Sequence, residues 1–539
     1  MCYPSPDPRR AEEYRAAGYW RDDTIPELIA ASAARAPDKI AVRDASGATL
    51  TYRELAQHSD RIAGFLAAGG LGKGEVVTVC LPNWCETVAV FLATMKLGAV
   101  VNPVPVTYGR ADLAYVLDKC DSHALVFAGK FRNADYTELL SAIPDSLAGR
   151  VLLRIGEGGQ ALGTPWAEAL EHEPLDTAIE VSADDPIAVL FTSGTEARAK
   201  GVVHSHNTIL FGERALADVL RIGSEDVAFM ASPISHTTGF MHGVVMTLTL
   251  GGTLSLLDIF EGARAAGQIA AHSATWTMGA TPFLADIADA LRASGERLPS
   301  LRYFLCGGAP VPEALVRRAM GVGLRVMSIY GSTESPPHTV VYPSDPAENA
   351  WLTDGRPLAG ITVRVVGTDG RDLEIGEIGE EWSRGPNTFL GYLGDPELTA
   401  KDFDADGWYH SGDLARRLSD GSLRIVGRIK DIIVRGGQNI SAREVEDYLM
   451  AHPAVQSVAV VGVAHPRLGE TGCAVVVPRP GASVTLQELS DYLIAKGVAR
   501  FKLPERLEIW PSLPMNPSGK IQKFLIRKTL ADTTDASRS

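Results

Sequence analysis

The 539-residue chain is predicted to be an α/β protein, a large N-terminal domain with mixed parallel sheets and a small β-rich subdomain, followed by a compact α+β unit. Three observations predict it. Ala/Leu-rich helical stretches alternate with short β-branched runs through roughly the first 300 residues, the pattern of parallel strands joined by helical crossovers. After about residue 350 the texture changes to short strands punctuated by Asp-Gly and Gly turns, which reads as antiparallel. From about residue 431 the order becomes helix, two strands, helix.

Taken in order, ELAQHSDRIAGFLAAGG has helical spacing and VVTVCL reads as a strand. ETVAVFLATMKLGAV is helical again, and ALVFAG is another strand. GFMHGVVMTLTLGGTLSLL, residues 239–257, is the longest apolar stretch. Its His242 and Gly251-Gly252 argue against a membrane span, so a buried helix followed by a buried strand is expected. IAVLF, LRYFL and LRVMSIY each run into Gly and hydroxyl residues, namely TSGT, CGGAP and GSTES. In α/β folds ligands collect at such carboxyl ends of strands. ITVRVVGTDG, GEIGEEWSRG and DGSLRIVGR form the antiparallel set. AREVEDYLMAH, VQSVAVVGV, GCAVVVPRP and LQELSDYLIAKG form the last unit, joined at GRIKD. ADTTDASRS reads as a polar tail, and Arg416-Arg417 as a solvated turn.

With 51 basic and 65 acidic residues the net charge is −14, which argues against a uniformly basic nucleic-acid surface. An anionic ligand would have to be met by a local cluster or by backbone N–H groups. The six cysteines form no CxxC pair, and the N-terminus carries no apolar leader. A cytoplasmic protein without a membrane span, monomer or homodimer, is expected.

In LFTSGTEARAKGVVHSH, Thr192, Ser193, Gly194 and Thr195 follow a strand directly. Backbone N–H groups there can cradle phosphate, Lys200 adds a charge, and a helix starting near Ser205 offers its N-terminus. Ala199 and Gly201 rule out a Walker A loop, and GLGKGEVV follows a helix, so it is no dinucleotide fingerprint. No GxSxG or HExxH occurs. A Ser/Thr/Gly turn of this kind is, by itself, more often only a turn.

Four segments in order change that reading: FTSGTEARAKGVVHSH, YGSTES (330–335), YHSGDLARRLSDGSLRIVGRIKDIIVRGGQNISAREVE (409–446) and NPSGKIQK (516–523). Together they resemble the adenylate-forming superfamily of acyl-CoA synthetases, adenylation domains and luciferases. YRAAGYWRDDTI and GVVHSHNTIL are similar to its branch of cyclohexanecarboxylate-CoA ligases and aryl-acid AMP ligases. The resemblance implies an N-terminal AMP-binding domain over 1–429 and a small mobile C-terminal domain over 430–539. It implies an AMP-forming acid–thiol ligase using ATP, Mg²⁺ and CoA on a small-molecule acid.

Its residue roles carry over as follows. Thr192, Ser193, Gly194 and Thr195 hold the β- and γ-phosphates with Lys200 assisting. Gly307, Gly308 and Ala309 wall the adenine opposite Tyr330 and Gly331. Thr333 bonds the α-phosphate and Glu334 holds Mg²⁺. Asp413 takes the ribose hydroxyls with Arg428 beside it, and Lys520 bridges the α-phosphate and the carboxylate. His236, Phe240, Gly243, Met278, Gly307 and Gly331 border the acyl pocket, with space expected at Gly239 and Gly243. Lys430 is the hinge, and Gly436 and Gly437 belong to the acceptor channel. Glu196, Ala197 and Ala199 depart from the family loop, which reads Thr, Gly and Pro there. Cys306 lacks a base partner and is read as a wall residue; His204, His206 and His242 are read as structural.

Apolar Met241 and Phe283 add to the expected lining and favour an aromatic, alicyclic or short aliphatic acid. Thr237 and Thr238 follow His236 in place of an Asn, which disfavours a catechol acid. The alternatives are an aryl-acid ligase loading a carrier protein, a relative adenylating another oxyanion such as nitrite, and a nucleotide-binding relative without catalysis.

Overall fold

The computed structural model describes residues 3–175, 179–192, 199–308, 311–516 and 519–536. Two large sheets form the N-terminal part. In one, strands Val227–Met230, Thr253–Leu256, Trp276–Gly279, Tyr303–Cys306 and Val326–Tyr330 run parallel, as the alternating pattern predicts. In the other, Val76–Cys80, Val100–Pro103, Ala124–Ala128 and Val151–Ile155 run parallel, and the hairpin Pro186–Thr192/Lys200–Ser205 closes one side. These strands are buried along almost every residue, because helices cover both faces of a parallel sheet. Helix Tyr52–Ala68 begins at a capping box in which Thr51 and Glu54 bond reciprocally.

A four-stranded antiparallel sheet follows, ordered Thr362–Val366, Gly379–Arg384, Tyr409–Arg417, Leu423–Arg428. The turn Ile429–Asp431 then leads to the hairpin Ile432–Arg435/Gln438–Ser441 and the long antiparallel pair Val455–His465/Gly469–Pro478. Helices Ala442–Met450 and Leu486–Ala495 complete the expected α+β unit. Among the described residues no helix is long and apolar enough to cross a membrane.

Several local expectations are corrected. The helix in ETVAVFLATMKLGAV stops at Lys96, since Gly98 adopts φ +62° and sends the chain into the next strand. Helix Lys523–Ala536 runs into the segment read as a polar tail. Arg416 and Arg417 lie in strand Tyr409–Arg417, where Arg417 donates to the Leu373 carbonyl at 2.8 Å. The apolar stretch after His236 is helical but wound as a π-helix over Thr238–Met246, then a strand over Thr253–Leu256. Such i→i+5 winding is rare and concentrates at functional sites.

Candidate active site

Strand register builds the first part of the site. Asp413 and Arg428 are paired positions on neighbouring strands, so their side chains emerge on one face. Arg428 Nε stands 2.6 Å from Asp413 Oδ1, without a directed hydrogen bond to it. Tyr330, ending its parallel strand, donates its hydroxyl to Asp413 Oδ2 at 2.8 Å. Burial, then the Asp413 and Glu381 carboxylates, push the Tyr330 phenol well above its ordinary value, so it stays a donor.

The Thr333–Glu334 loop is held from several sides. Thr237 and Thr333 share a hydroxyl–hydroxyl bond of 2.9 Å, and His204 Nε2 meets the Thr333 carbonyl at 2.7 Å. Burial lowers His204 to about 4, which keeps it neutral. The Phe389 N–H donates to the Glu334 carbonyl at 2.8 Å. Asn387 Nδ2 reaches Ser335 Oγ at 3.1 Å and the Pro337 carbonyl at 3.2 Å. The Glu334 side chain is 7% exposed, and its Oε1 lies 2.9 Å from the Tyr392 hydroxyl. Lys200 Nζ sits 3.1 Å from both that hydroxyl and Asp402 Oδ2.

The lysine loop of the C-terminal part reaches this site. A Cβ on Gly519 would stand 3.4 Å from Pro282 Cγ, so the loop sits against Ala280 and Pro282, on the wall that runs between the expected lining residues Met278 and Phe283. The Arg428 guanidinium foremost, then dehydration, then Lys430 push Lys520 down to about 8 against the pull of Asp413 and Asp431. Its side chain keeps exposed surface, so neighbouring charge is the sounder cause of the two. Burial and then the Lys520 and His242 charges lower His236 to about 4. Lys430 is lowered to about 8, first by burial and then by Arg428.

Tyr330, Asp413, Arg428, Lys520 and His236 are thus neighbours, and Lys200, Glu334 and Thr333 belong to linked networks. Gly307 approaches the adjacent strand so closely that a Cβ would stand 2.5 Å from the Ile329 carbonyl oxygen. Gly331 is similarly tight against Ser335 and Pro337, and Gly308 adopts φ +78°. Thr192 ends its strand opposite Lys200. Met278 is 5% exposed, and its carbonyl accepts from Ser232. Ser193, Gly194, Thr195, Glu196, Ala197 and Ala309 lie outside the described residues.

Some expectations fail here. The helix capped by Ser205 starts at the far end of the hairpin, where Ser205 pairs with Pro186, so its N-terminus cannot serve a loop at Thr192/Lys200. Space beside Gly239 and Gly243 is absent: a Cβ would meet the Pro233 carbonyl oxygen at 2.3 Å and Met230 Cγ at 3.1 Å. Phe240 is fully buried and edge-on to Phe91 in the core. Gly436 donates its N–H to the Leu468 carbonyl within the C-terminal part, a contact that does not bear on the acceptor channel. Cys306 is pushed up to about 12 by burial, which suits a wall and not a nucleophile. Tyr392, His204 and Thr237 were not expected in the site. Tyr409 opened a quoted motif and Tyr392 stood in none, and a lone tyrosine carries no spacing signal.

The fit to Mg²⁺ rests on donor chemistry. No cluster of three His, Cys, Asp or Glu side chains that could hold a metal ion occurs among the described residues. Mg²⁺ bound through substrate phosphates needs only one or two carboxylates and keeps its waters. The buried Glu334 carboxylate fits that requirement.

Known proteins are similar to this chain over most of its length. Residues 29–393 match the family model described as AMP-binding enzyme, and residues 444–520 match the AMP-binding enzyme C-terminal domain. A medium-chain fatty-acid–CoA ligase of Escherichia coli is 40% identical over 97% of this chain and 93% of its own length. A salicyl-AMP ligase/salicyl-S-ArCP synthetase of Mycobacterium tuberculosis is 33% identical over 97% of this chain and 94% of its own. The crystal structure of ATP-bound MatB from Rhodopseudomonas palustris superposes with TM-score 0.85 at 29% identity, covering 95% of this chain and 100% of that one.

Proposed function

The chain belongs to the family of AMP-binding enzymes, an AMP-forming acid–CoA ligase in kind, and on that premise we propose how its residues carry out the reaction and on what acid. The carboxylate oxygen attacks the α-phosphorus of ATP, the bond to pyrophosphate breaks, and an acyl-adenylate forms. A thiolate sulfur then attacks the acyl carbonyl carbon, and AMP leaves. An anionic carboxylate resists direct attack by a thiolate, and adenylation supplies the leaving group.

The observation that carries this reading is Lys520 set among Arg428, Asp413 and His236, although it comes from the far end of the chain. Protonated, it neutralises charge shared between carboxylate and α-phosphate as the bond forms. Asp413 accepts from the ribose hydroxyls, with Tyr330 and Arg428 fixing its carboxylate. Lys200 attends the outer phosphates, and Thr333 the α-phosphate. Glu334 would hold Mg²⁺, which neutralises phosphate charge when bound. Neutral His236 borders the acid.

The substrate is an apolar monocarboxylic acid, aliphatic, alicyclic or aromatic, because Met278, the π-helix and the 280–283 wall supply little polarity. CoA is the acceptor by this reading, in keeping with the CoA ligase that is 40% identical. Residues 430–539 would rotate about Lys430 to bring Gly436 and Gly437 to the acyl-adenylate for the second step. A carrier protein as acceptor is a second reading, favoured by the salicyl-S-ArCP synthetase that is 33% identical.

ATP–pyrophosphate exchange over a panel of such acids, with Lys520→Ala alongside, tests the first step. One acid should drive exchange, and the variant should lose about 10²-fold or more. Exchange with no acid would sink the carboxylate reading. CoA against a pantetheinylated carrier then decides the acceptor.

A further inference from the structure

His338 and Glu381 are two ionisable side chains with 0% exposure, buried behind the nucleotide site. Taking charges out of water costs several kcal/mol per ion, so such a pair calls for a compensating role or partner. His338 Nε2 and Glu381 Oε1 stand 3.4 Å apart without a directed hydrogen bond, and His338 Nδ1 is bonded to the Ser335 carbonyl at 2.9 Å. Burial alone would lower the imidazole, yet the Glu381 carboxylate, the Ser335 carbonyl and Asp413 together outweigh it and the net shift is upward.

Both members touch one residue. The His338 ring meets the Tyr330 ring edge-on, with centroids 4.6 Å apart and planes at 85°. Glu381 Oε2 lies 3.4 Å from the Tyr330 hydroxyl, which donates to Asp413 at 2.8 Å. Tyr330 is therefore fixed at its face by one member and beside its hydroxyl by the other. The Ser411 hydroxyl, two residues before Asp413, in turn donates to the Glu381 carbonyl at 2.7 Å.

We propose that His338 and Glu381 are positioning residues that act through Tyr330: together they set its ring plane and aim its hydroxyl at Asp413, and so govern affinity for the nucleoside part of ATP. This rests on the reading in which Tyr330 and Asp413 receive the nucleotide. His338 bonds the Ser335 carbonyl behind the Thr333–Glu334 loop, but the described side-chain contacts of Glu381 run to His338 and Tyr330, so changing Glu381 acts on ground-state nucleotide binding and not on the bond-making step.

AMP affinity by calorimetry and ATP KM in pyrophosphate exchange are the readouts. Glu381→Gln should weaken AMP and raise the ATP KM by about fivefold or more, with kcat and the acid KM within about twofold. In a Tyr330→Phe background the same change should add less than about twofold, since the hydroxyl it acts through is gone. His338→Leu/Glu381→Leu removes both charges together, which spares folding where a single loss does not. That double variant should melt near the wild type and still bind AMP weakly. Wild-type AMP affinity in it, or an undiminished Glu381→Gln effect in the Tyr330→Phe background, would overturn the proposal. If the wild type binds AMP but no acid drives exchange, the ligase reading fails, while the AMP series still decides the role of the pair.

Discussion

The Tyr392 hydroxyl lies 2.9 Å from Glu334 Oε1, joining the expected metal carboxylate to an edge strand far along the chain. Lys200 approaches the same hydroxyl and stacks over the Tyr392 ring at 4.4 Å. Tyr392→Phe removes the one atom common to both. Glu334 Oε1 then loses a buried partner, at a cost of about 1–3 kcal/mol. Thermal melting should show that loss, and a Mg²⁺ titration of the exchange rate should shift to higher concentration.

Asp413→Asn isolates the Arg428 guanidinium. Breaking a fully buried pair costs about 3–5 kcal/mol, and Arg428 is one-third exposed, so about 2 kcal/mol is expected. AMP should raise the wild-type melting temperature and leave that of the variant nearly unmoved, because protection requires binding to the folded state.

The pH profile of kcat/KM in exchange should have a basic limb near the value of Lys520, lowered from 10.5 to about 8. The protonated ammonium is the active form, so activity holds below that pH and falls as pH rises through it. Bound ATP adds anionic charge and raises the group, so the limb of kcat should lie higher. Lys430 titrates in the same range, and two variants separate them. Lys430→Arg should keep the limb, whereas whatever activity Lys520→Arg retains should lack it.

Lys430→Pro locks φ within the turn Ile429–Asp431. Single-turnover measurements should find acyl-adenylate formation little changed and thioester release slowed at least tenfold. Equal losses in both half-reactions would rule out a hinge at this position.

Gly307→Ala places a methyl 2.5 Å from the Ile329 carbonyl oxygen, which neither backbone can avoid without moving. Overpacking of this kind costs about 1–3 kcal/mol. Melting should fall accordingly, and the ATP KM should rise, since Tyr330 follows Ile329 directly.

Periodicity made the parallel strands and crossover helices legible, and the ends of IAVLF, LRYFL and LRVMSIY marked where the site lies. Asp413, Arg428 and Lys520 were legible only through their motifs, because their meeting depends on sheet register and on chain closure over a hundred residues. Tyr392, Thr237 and His204 were not, since each acts through long-range hydrogen bonds that leave no trace in local spacing. The π-helix was missed for a related reason. Apolar periodicity distinguishes helix from strand, but a uniformly buried run such as Thr238–Met246 looks alike at either helical winding. Glycine misled at positions 239 and 243: the missing side chain made way for the Pro233 backbone at one and the Met230 side chain at the other, and left no room.

Arg428, Lys430, Lys520 and Lys200 gather at one site in a chain of net charge −14, where Asp413 and Asp402 pair with two of them. At a distance the molecule repels an anionic nucleotide; attraction is confined to close approach, well inside the screening length of about 10 Å at 0.1 M salt, where Lys520 and Lys430 meet it. Capture is therefore a matter of encounter as much as of fit. Ionic strength weakens both fields, but the far repulsion, acting through open solvent, is screened before the partly enclosed attraction. Moderate salt thus speeds the arrival of ATP before higher salt slows it.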